Sequence, residues 1–404
     1  MNEQSGWSQK KLSEIGEFIR GRRFVKSDYV ESGLGCIHYA QVHTDFKTTT
    51  RLPLTFLPED FRTRMRLAHP GDLVIAATSE NVDDVGKAVA WMGNDDVAIH
   101  DDCYIFRHEL DPPYVSYFFA SSLFQNQKIK YVSETKVVRI SGANLGMIEI
   151  PVPPPEIQVR IVKILGAVDN QITSLEAEAR ALAEVLRRRR ADLISNDSVG
   201  AVRAEDAFDF STGVRRTPDR ASGPYMTPYL RSANVGYGRL DLSDVLEMNY
   251  DPVEREKFGL RYGDVLVSEG SASTNAVGMP AMWRDELPAP VCTQMTLLRL
   301  RAREGVCIPE FAFHWSMWAY ESRAFLDVAG GTNIKHISAK RAKGMTVRLP
   351  SLDRQREMVA ELDALGSASE AIRAEADRLR EVRARLLSAL LERTIDIESA
   401  ELEI

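Results

Sequence analysis

Displaced against itself by about half its length, this 404-residue chain matches. Gly21-Arg22-Arg23 falls on Val214-Arg215-Arg216, and Tyr39-Ala40-Gln41-Val42 on Ser232-Ala233-Asn234-Val235, at an offset of 193. Gly71-Asp72-Leu73-Val74-Ile75 meets Gly263-Asp264-Val265-Leu266-Val267, and Trp91 meets Trp283, at 192. Beyond an insertion around Arg301 to Val306 the offset becomes 197, carrying Ile140-Ser141 onto Ile337-Ser338 and Gln158 onto Gln355. A period of half the chain predicts two modules of one plan, and rules out both a single core and an array of short repeats.

Within each copy, short β-branched runs such as Leu73 to Ala77 and Thr296 to Leu300 are punctuated by Gly, Pro, Asn and Asp, as in a mixed α/β module. A helix is expected after Pro112-Pro113 and after Pro309, because proline suits the first helical turn. Each module then ends at prolines, Pro151 to Pro155 and Pro350, and a different pattern begins. Steps of four and three give Ile161, Leu165, Val168, Ile172, Leu175, Ala179, Leu182, Leu186, Arg189 and Leu193. The second copy gives Met358, Leu362, Leu365, Ser369, Ile372, Ala376, Leu379, Arg383, Leu386 and Leu390. Only Arg189, Ser369 and Arg383 interrupt these two apolar seams.

A seam kept this long at 3.5 residues per turn specifies a coiled coil. Matched lengths, with a whole module between them, favour antiparallel pairing and predict a module at each end of a rod; the competing expectation is that each helix packs only on its own module. The predicted fold class is α+β, with two mixed α/β modules at 1–150 and 196–350. The expected helices occupy 151–195 and 351–395, and an acidic tail 396–404.

Composition bounds the function. Hydrophobic residues are 44% and charged residues 27%, ordinary for a globular chain, and no apolar run approaches the ~20 residues of a membrane span. Met1, Asn2, Glu3 and Gln4 lack the layout of a signal peptide, so a cytoplasmic home is expected. Cys36, Cys103, Cys292 and Cys307 show no pairing or zinc spacing and are expected as buried thiols. The net charge of −7, much of it in the tail beside Glu398, Glu401 and Glu403, argues against a generic polyanion binder; any nucleic-acid contact must come from local patches.

Asp111-Pro112-Pro113-Tyr114 has the form of an adenine-N6 methyltransferase signature. The repeat tests it: the aligned Ile308-Pro309-Glu310-Phe311 keeps proline then aromatic but loses the acid, as expected of two helix starts. No catalytic residue is therefore expected. The seven histidines show no metal spacing; Asp95, Asp96, Asp101 and Asp102 have the carboxylates to hold a divalent ion, but a solvated turn is the expectation, so no metal ligand is assigned either. The run Arg187 to Arg190 is open to two readings, a solvated helix end or a contact with phosphates or a partner protein.

Polar and basic residues recur at equivalent places in both copies: Arg22 and Arg23 with Arg215 and Arg216; Ser79 and Asn81 with Thr274 and Asn275; Lys136 and Arg139 with Asn333, Lys335 and His336. Arg and Lys suit phosphates and guanine edges and Asn suits adenine, so these residues are the candidate DNA-binding set.

Two modules, each closing with prolines, a Gln and a long heptad helix, resemble the specificity subunit of type I restriction-modification systems. In that family the helix often opens with Pro-Pro-Leu-x-Glu-Gln-x-x-Ile. Here Pro153-Pro154-Pro155-Glu156-Ile157-Gln158-Val159-Arg160-Ile161 has Pro155 for Leu and Ile157 for Glu. The second copy, Pro350-Ser351-Leu352-Asp353-Arg354-Gln355-Arg356-Glu357-Met358, has Arg354 for Glu. The resemblance implies a non-catalytic reader of double-stranded DNA, each module a target recognition domain for one half of a split, asymmetric site. The helix pair, through Ile161, Leu165, Val168, Ile172, Leu175, Leu182, Leu186, Met358, Leu362, Leu365, Ile372, Leu379, Leu386 and Leu390, would set the gap and dock partners. The implied partners are two modification (methyltransferase) subunits, which would carry the S-adenosylmethionine, and restriction (translocase/nuclease) subunits, with no cofactor on this chain and no membrane. A protein-only scaffold and a methyltransferase using Asp111 to Tyr114 are the competing readings.

Overall fold

In the computed structural model the described residues are 6–133, 137–271, 273–332, 334–395 and 397. The chain divides into two compact units, residues 1–175 with 374–404, and residues 176–373. The fold is α+β in both. Because the division falls inside the two long helices, each unit consists of one module plus half of each helix.

The first unit is built on a five-stranded sheet ordered Gly16–Arg20, Cys103–His108, Leu73–Ala76, Ala88–Trp91 and Thr49–Thr50. Leu73–Ala76 is buried at every residue, which is why it reads in sequence as an unbroken apolar run rather than an alternating one. A second sheet holds Thr55–Leu57, Leu34–Ile37, Val97–Ile99 and Leu67–Ala68. The helix Pro112–Phe119 packs its aromatics into the core with Leu73, Ile75 and Phe106.

In the second unit the main sheet is Phe208–Thr212, Leu297–Ala302, Val265–Ser268 and Pro280–Met282, with a smaller sheet of Leu246–Asn249, Met226–Leu230 and Cys292–Thr293. Pro309–Glu321 takes the place of Pro112–Phe119 and buries Phe311, Trp315 and Ala319. All four cysteines are free and buried.

The Gly-Asp-apolar repeat marks one device used twice. Gly71 and Gly263 adopt φ of +97° and +86° and donate to the carbonyls of Trp91 and Trp283 at 2.8 and 2.9 Å. That turn aims each following aspartate inward. Asp72 takes a bidentate grip from Arg107, with Nη2 to Oδ2 at 2.7 Å, and Asp264 the same from Arg301 at 2.6 Å. Burying a carboxylate is tolerable only with such a partner, so the pair fixes one end of the main sheet in both units.

The long helices run Pro155–Ile194 and Leu352–Leu391, 40 residues each and so about 60 Å at 1.5 Å per residue. Every apolar seam position named above is buried or half-buried. In the first unit Ile161 and Leu165 share a core with Leu387, Leu390 and Leu391. In the second, Leu193 and Ile194 share one with Met358, Val359 and Leu362. The start of each helix therefore meets the end of the other, which is antiparallel pairing, and the helices also pack on the modules.

The three seam interruptions are cross-helix contacts. Ser369 Oγ donates to the Ala179 carbonyl at 3.2 Å. Arg189 is bidentate to Glu361, with one arm at 3.1 Å, and Arg383 to Asp169, with one arm at 3.2 Å. Ile397 is buried with the first unit's core; the other residues of the tail, 396 and 398–404, lie outside the described residues.

Candidate nucleic-acid interface

Strand polarity gathers the candidate residues. In the first unit Gly16–Arg20 and Leu73–Ala76 both run antiparallel to Cys103–His108, so both leave the sheet at the end where Cys103 enters it. Gly21 N donates to Cys103 O at 3.0 Å, and Ala77 N to Asp102 O at 2.8 Å. Val138–Arg139 then pairs with Thr78–Ser79, placing Arg139 opposite Thr78. Arg22, Arg23, Asn81 and Arg139 thus leave from one end of the sheet, and all four are exposed.

In the second unit Phe208–Thr212 and Val265–Ser268 leave the sheet together beside Leu297. Gly270–Ser271 pairs with Lys335–His336, with Gly270 opposite His336. A Cβ on Gly270 would lie 2.3 Å from the His336 ring, so a side chain there would have to displace that ring. Arg215, Arg216, Thr274, Asn275 and His336 are exposed at this end, and Lys335 is half-buried.

Four expectations need correction or sharpening. The strands match at an offset of 192, so Gly21 aligns with Gly213 and not with Val214, and Arg23 with Arg215. Those glycines are structurally required: a Cβ on either would lie 2.1 or 1.9 Å from the carbonyl of His100 or Thr293. Ser79 is 4% exposed and its hydroxyl accepts the Asn81 N–H at 3.3 Å, so it shapes the loop without reaching its surface. Asn81 is itself tied down, accepting from Asp84 N and donating to Asp84 Oδ2, both at 2.8 Å. Arg22 is partly occupied, donating to Arg64 O at 2.8 Å. Lys136 and Asn333 lie outside the described residues.

The opposite sheet end carries the helix starts. Asp111 caps Pro112–Phe119 by accepting Tyr114 N at 2.9 Å, and Tyr114 is buried with its hydroxyl donating to Pro151 O at 2.6 Å. The methyltransferase-like tetrapeptide is thus fully used as an N-cap and an anchor. Sequence patterning pointed to Gln158 and Gln355 without giving their role. Gln158 Oε1 accepts Asp111 N at 2.9 Å, and Gln355 Oε1 accepts Ile308 N at 3.0 Å. Each amide also donates to the proline carbonyl five residues before it, Pro153 or Pro350, at 2.9 Å. Each glutamine therefore clips the start of a long helix to its module.

Every arginine of the run has a carboxylate partner, two of them sharing one. Arg187 and Arg188 pair with Glu184 on their own helix, Arg189 with Glu361, and Arg190 with Glu321, at side-chain exposures of 4% and 6% for this last pair. Nearby, His314 Nε2 meets Asp363 at 3.0 Å, and burial holds the imidazole below its ordinary pKa. Burial also pushes Lys128 down to about 8, where its ammonium donates to Asp83 O and Val85 O. Asp96 of the first acidic pair contacts His69 at 2.7 Å. Among the described residues, His100, Asp101 and Asp102 are the group whose ligand atoms come within 4.8 Å of one another, a turn that also carries Asp102 N to His100 Nδ1 at 3.2 Å.

Residues 4–184 match the family model for the type I restriction modification DNA specificity domain. The chain is 22% identical over 392 residues to the EcoKI specificity subunit of Escherichia coli K12, covering 91% of this chain and 83% of that one. It is 25% identical over 188 residues to the MjaVIII specificity subunit of Methanocaldococcus jannaschii, 45% of this chain and 44% of that one. Among solved structures, a chain from a type I restriction-modification assembly is similar at a TM-score of 0.66 and 16% identity, covering 96% of this chain and 97% of that one. The Mycoplasma genitalium S subunit is similar at a TM-score of 0.51 and 13% identity over 97% of both chains, which speaks to the fold. Residues 4–184 thus match the type I DNA specificity domain, and the paired modules with antiparallel helices have the fold of the similar S-subunit structures.

Proposed function

We propose that this chain is the non-catalytic DNA-specificity subunit of a type I restriction-modification complex, each module reading one half of an asymmetric two-part site. One observation carries the proposal: each main sheet delivers its basic and amide loops to a single end, by the same strand polarity, with different residues in the two copies. Identical readers would suit a palindrome; unlike readers suit an asymmetric target. Arg23 and Arg139 in the first module, and Arg215, Arg216, Asn275 and His336 in the second, are the exposed groups assigned to phosphates and base edges.

The helices set the unread gap and dock the partners. Glu184, Val185 and Arg188 recur as Glu381, Val382 and Arg385 on the outer faces, both valines 51% exposed. The same surface presented twice fits two copies of one partner, the modification subunit that would carry S-adenosylmethionine; restriction subunits would complete the nuclease. No helix among the described residues is long and apolar enough to cross a membrane, and a cytoplasmic setting is part of the proposal.

Adenine methylation mapped in DNA from cells with and without this chain tests the reading. A split motif should vanish on deletion. Unchanged methylation would refute it, and absence of sequence-selective binding at low salt with a modification subunit would favour a protein-only scaffold.

A further inference from the structure

The two halves of the chain differ at several equivalent positions where the long helices meet their surroundings, and two of these differences are ion pairs more enclosed than the exposed Arg189–Glu361 pair. In the first unit Asp169 of one helix faces Arg383 of the other, at side-chain exposures of 25% and 19%, and Tyr117 donates to the same carboxylate at 2.9 Å. At the matching positions of the second unit, 197 residues away, stand Gly366 and Leu186, where a Cβ on Gly366 would lie 3.8 Å from the leucine. The second difference runs the other way. In the second unit Arg190 is buried against Glu321; the matching residues of the first, Leu387 and Phe124, belong to its apolar core.

We infer that these positions form a pairing code that makes each long helix accept the other and reject a second copy of itself. Suppose two chains paired their first helices antiparallel in the same register. Asp169 would face Leu186 of the other chain, and Arg190 would enter the apolar place beside Phe124. Two second helices would set Arg383 against Gly366 and Leu387 against Glu321. Either arrangement strands one buried and one half-buried charge per contact, whereas the native one leaves both paired. A buried charge deprived of its partner is far more costly than the same site filled by apolar groups. The seam leucines alone carry no such instruction, because both helices present the same heptads. The inference concerns which helices associate and stands apart from the assignment of DNA-reading residues.

A composition-neutral exchange in the full chain tests it. Leu186→Arg, Arg190→Leu, Arg383→Leu and Leu387→Arg together remove the two enclosed mismatches from each self-pairing and leave only the exposed Arg189–Glu361 pair unmatched: Asp169 gains Arg at position 186 of a second copy, and Glu321 gains Arg at 387. Light scattering after refolding should show the wild type at 45.3 kDa and the exchanged chain at twice that mass. Adding Asp169→Gly, Gly366→Asp, Phe124→Glu and Glu321→Phe moves both pairs whole to the opposite unit and should return the monomer with wild-type melting. An exchanged chain that stays monomeric and melts like the wild type overturns the inference. So does an eightfold variant that fails to recover the monomer, even where the fourfold variant aggregates.

Discussion

Replacing Gln355 by methionine, close to it in shape, removes three hydrogen bonds at a fully buried position. The Ile308 N–H loses its acceptor at 3.0 Å, and the carbonyls of Val306 and Pro350 lose donors at 3.0 and 2.9 Å. An orphaned buried donor costs about 1–3 kcal/mol, and the carbonyls add a smaller amount, giving roughly 2–5 kcal/mol in all. For a unit of this size, residues 176–373, each kcal/mol moves the midpoint by about 2–4 °C, so a fall of roughly 5–15 °C is expected. Gln158→Met removes two such bonds, to Asp111 N and Pro153 O, and should act more mildly on the other unit. Calorimetry, with hydrogen exchange on peptides covering 309–321 and 112–119, assigns each loss to its unit. Equal effects of Gln355→Met on both peptides, or a shift under about 2 °C, would refute the clip.

Asp111→Ala should cost about 0.5–2 kcal/mol as a lost N-cap and leave methylation by the assembled complex intact; methylation lost in a folded variant would revive the catalytic reading. Burial holds His108 down to about 4 from its ordinary 6.5, so the unfolded chain binds the extra proton between those values. The stability it contributes above about pH 6.5 should be lost as the pH falls toward 4, and urea titrations of His108→Phe should show a flatter profile over that window. Arg139→Ala, at an exposed site, should leave melting unchanged and lower the slope of log affinity against log salt by about 1; an unchanged slope would remove Arg139 from the interface.

The duplication, the antiparallel helices and the helix starts after Pro112 and Pro309 were all legible, because they rest on patterns that local physics enforces. A heptad seam has nowhere to go but against another helix, and a proline opens a helix more readily than it continues one. The candidate interface was legible only as a set of loops. Ser79 looked like any polar loop residue, yet it is buried because it pairs with Val138, in a strand far away in sequence, while Asn81 is held by a turn to Asp84 three residues on. The one-residue error at Gly21 has the same root: Arg-Arg matched by letter, while the close approach of a carbonyl demanded glycine against glycine.

The sequence by itself determined how many modules there are, how alike they are, and that two helices of equal length must pair, since periodicity and composition act along the chain. Only the tertiary structure decided what the polar exceptions mean. Arg187 to Arg190 read either as a solvated helix end or as a contact with phosphates or a partner; Glu184, one turn back, takes the first two, but only the fold put Arg189 across the seam and buried Arg190 on a module. Beyond one helical turn a charge in sequence has a sign but no neighbour; such a partner, and therefore its free energy, exists only once strands and helices have brought distant residues together.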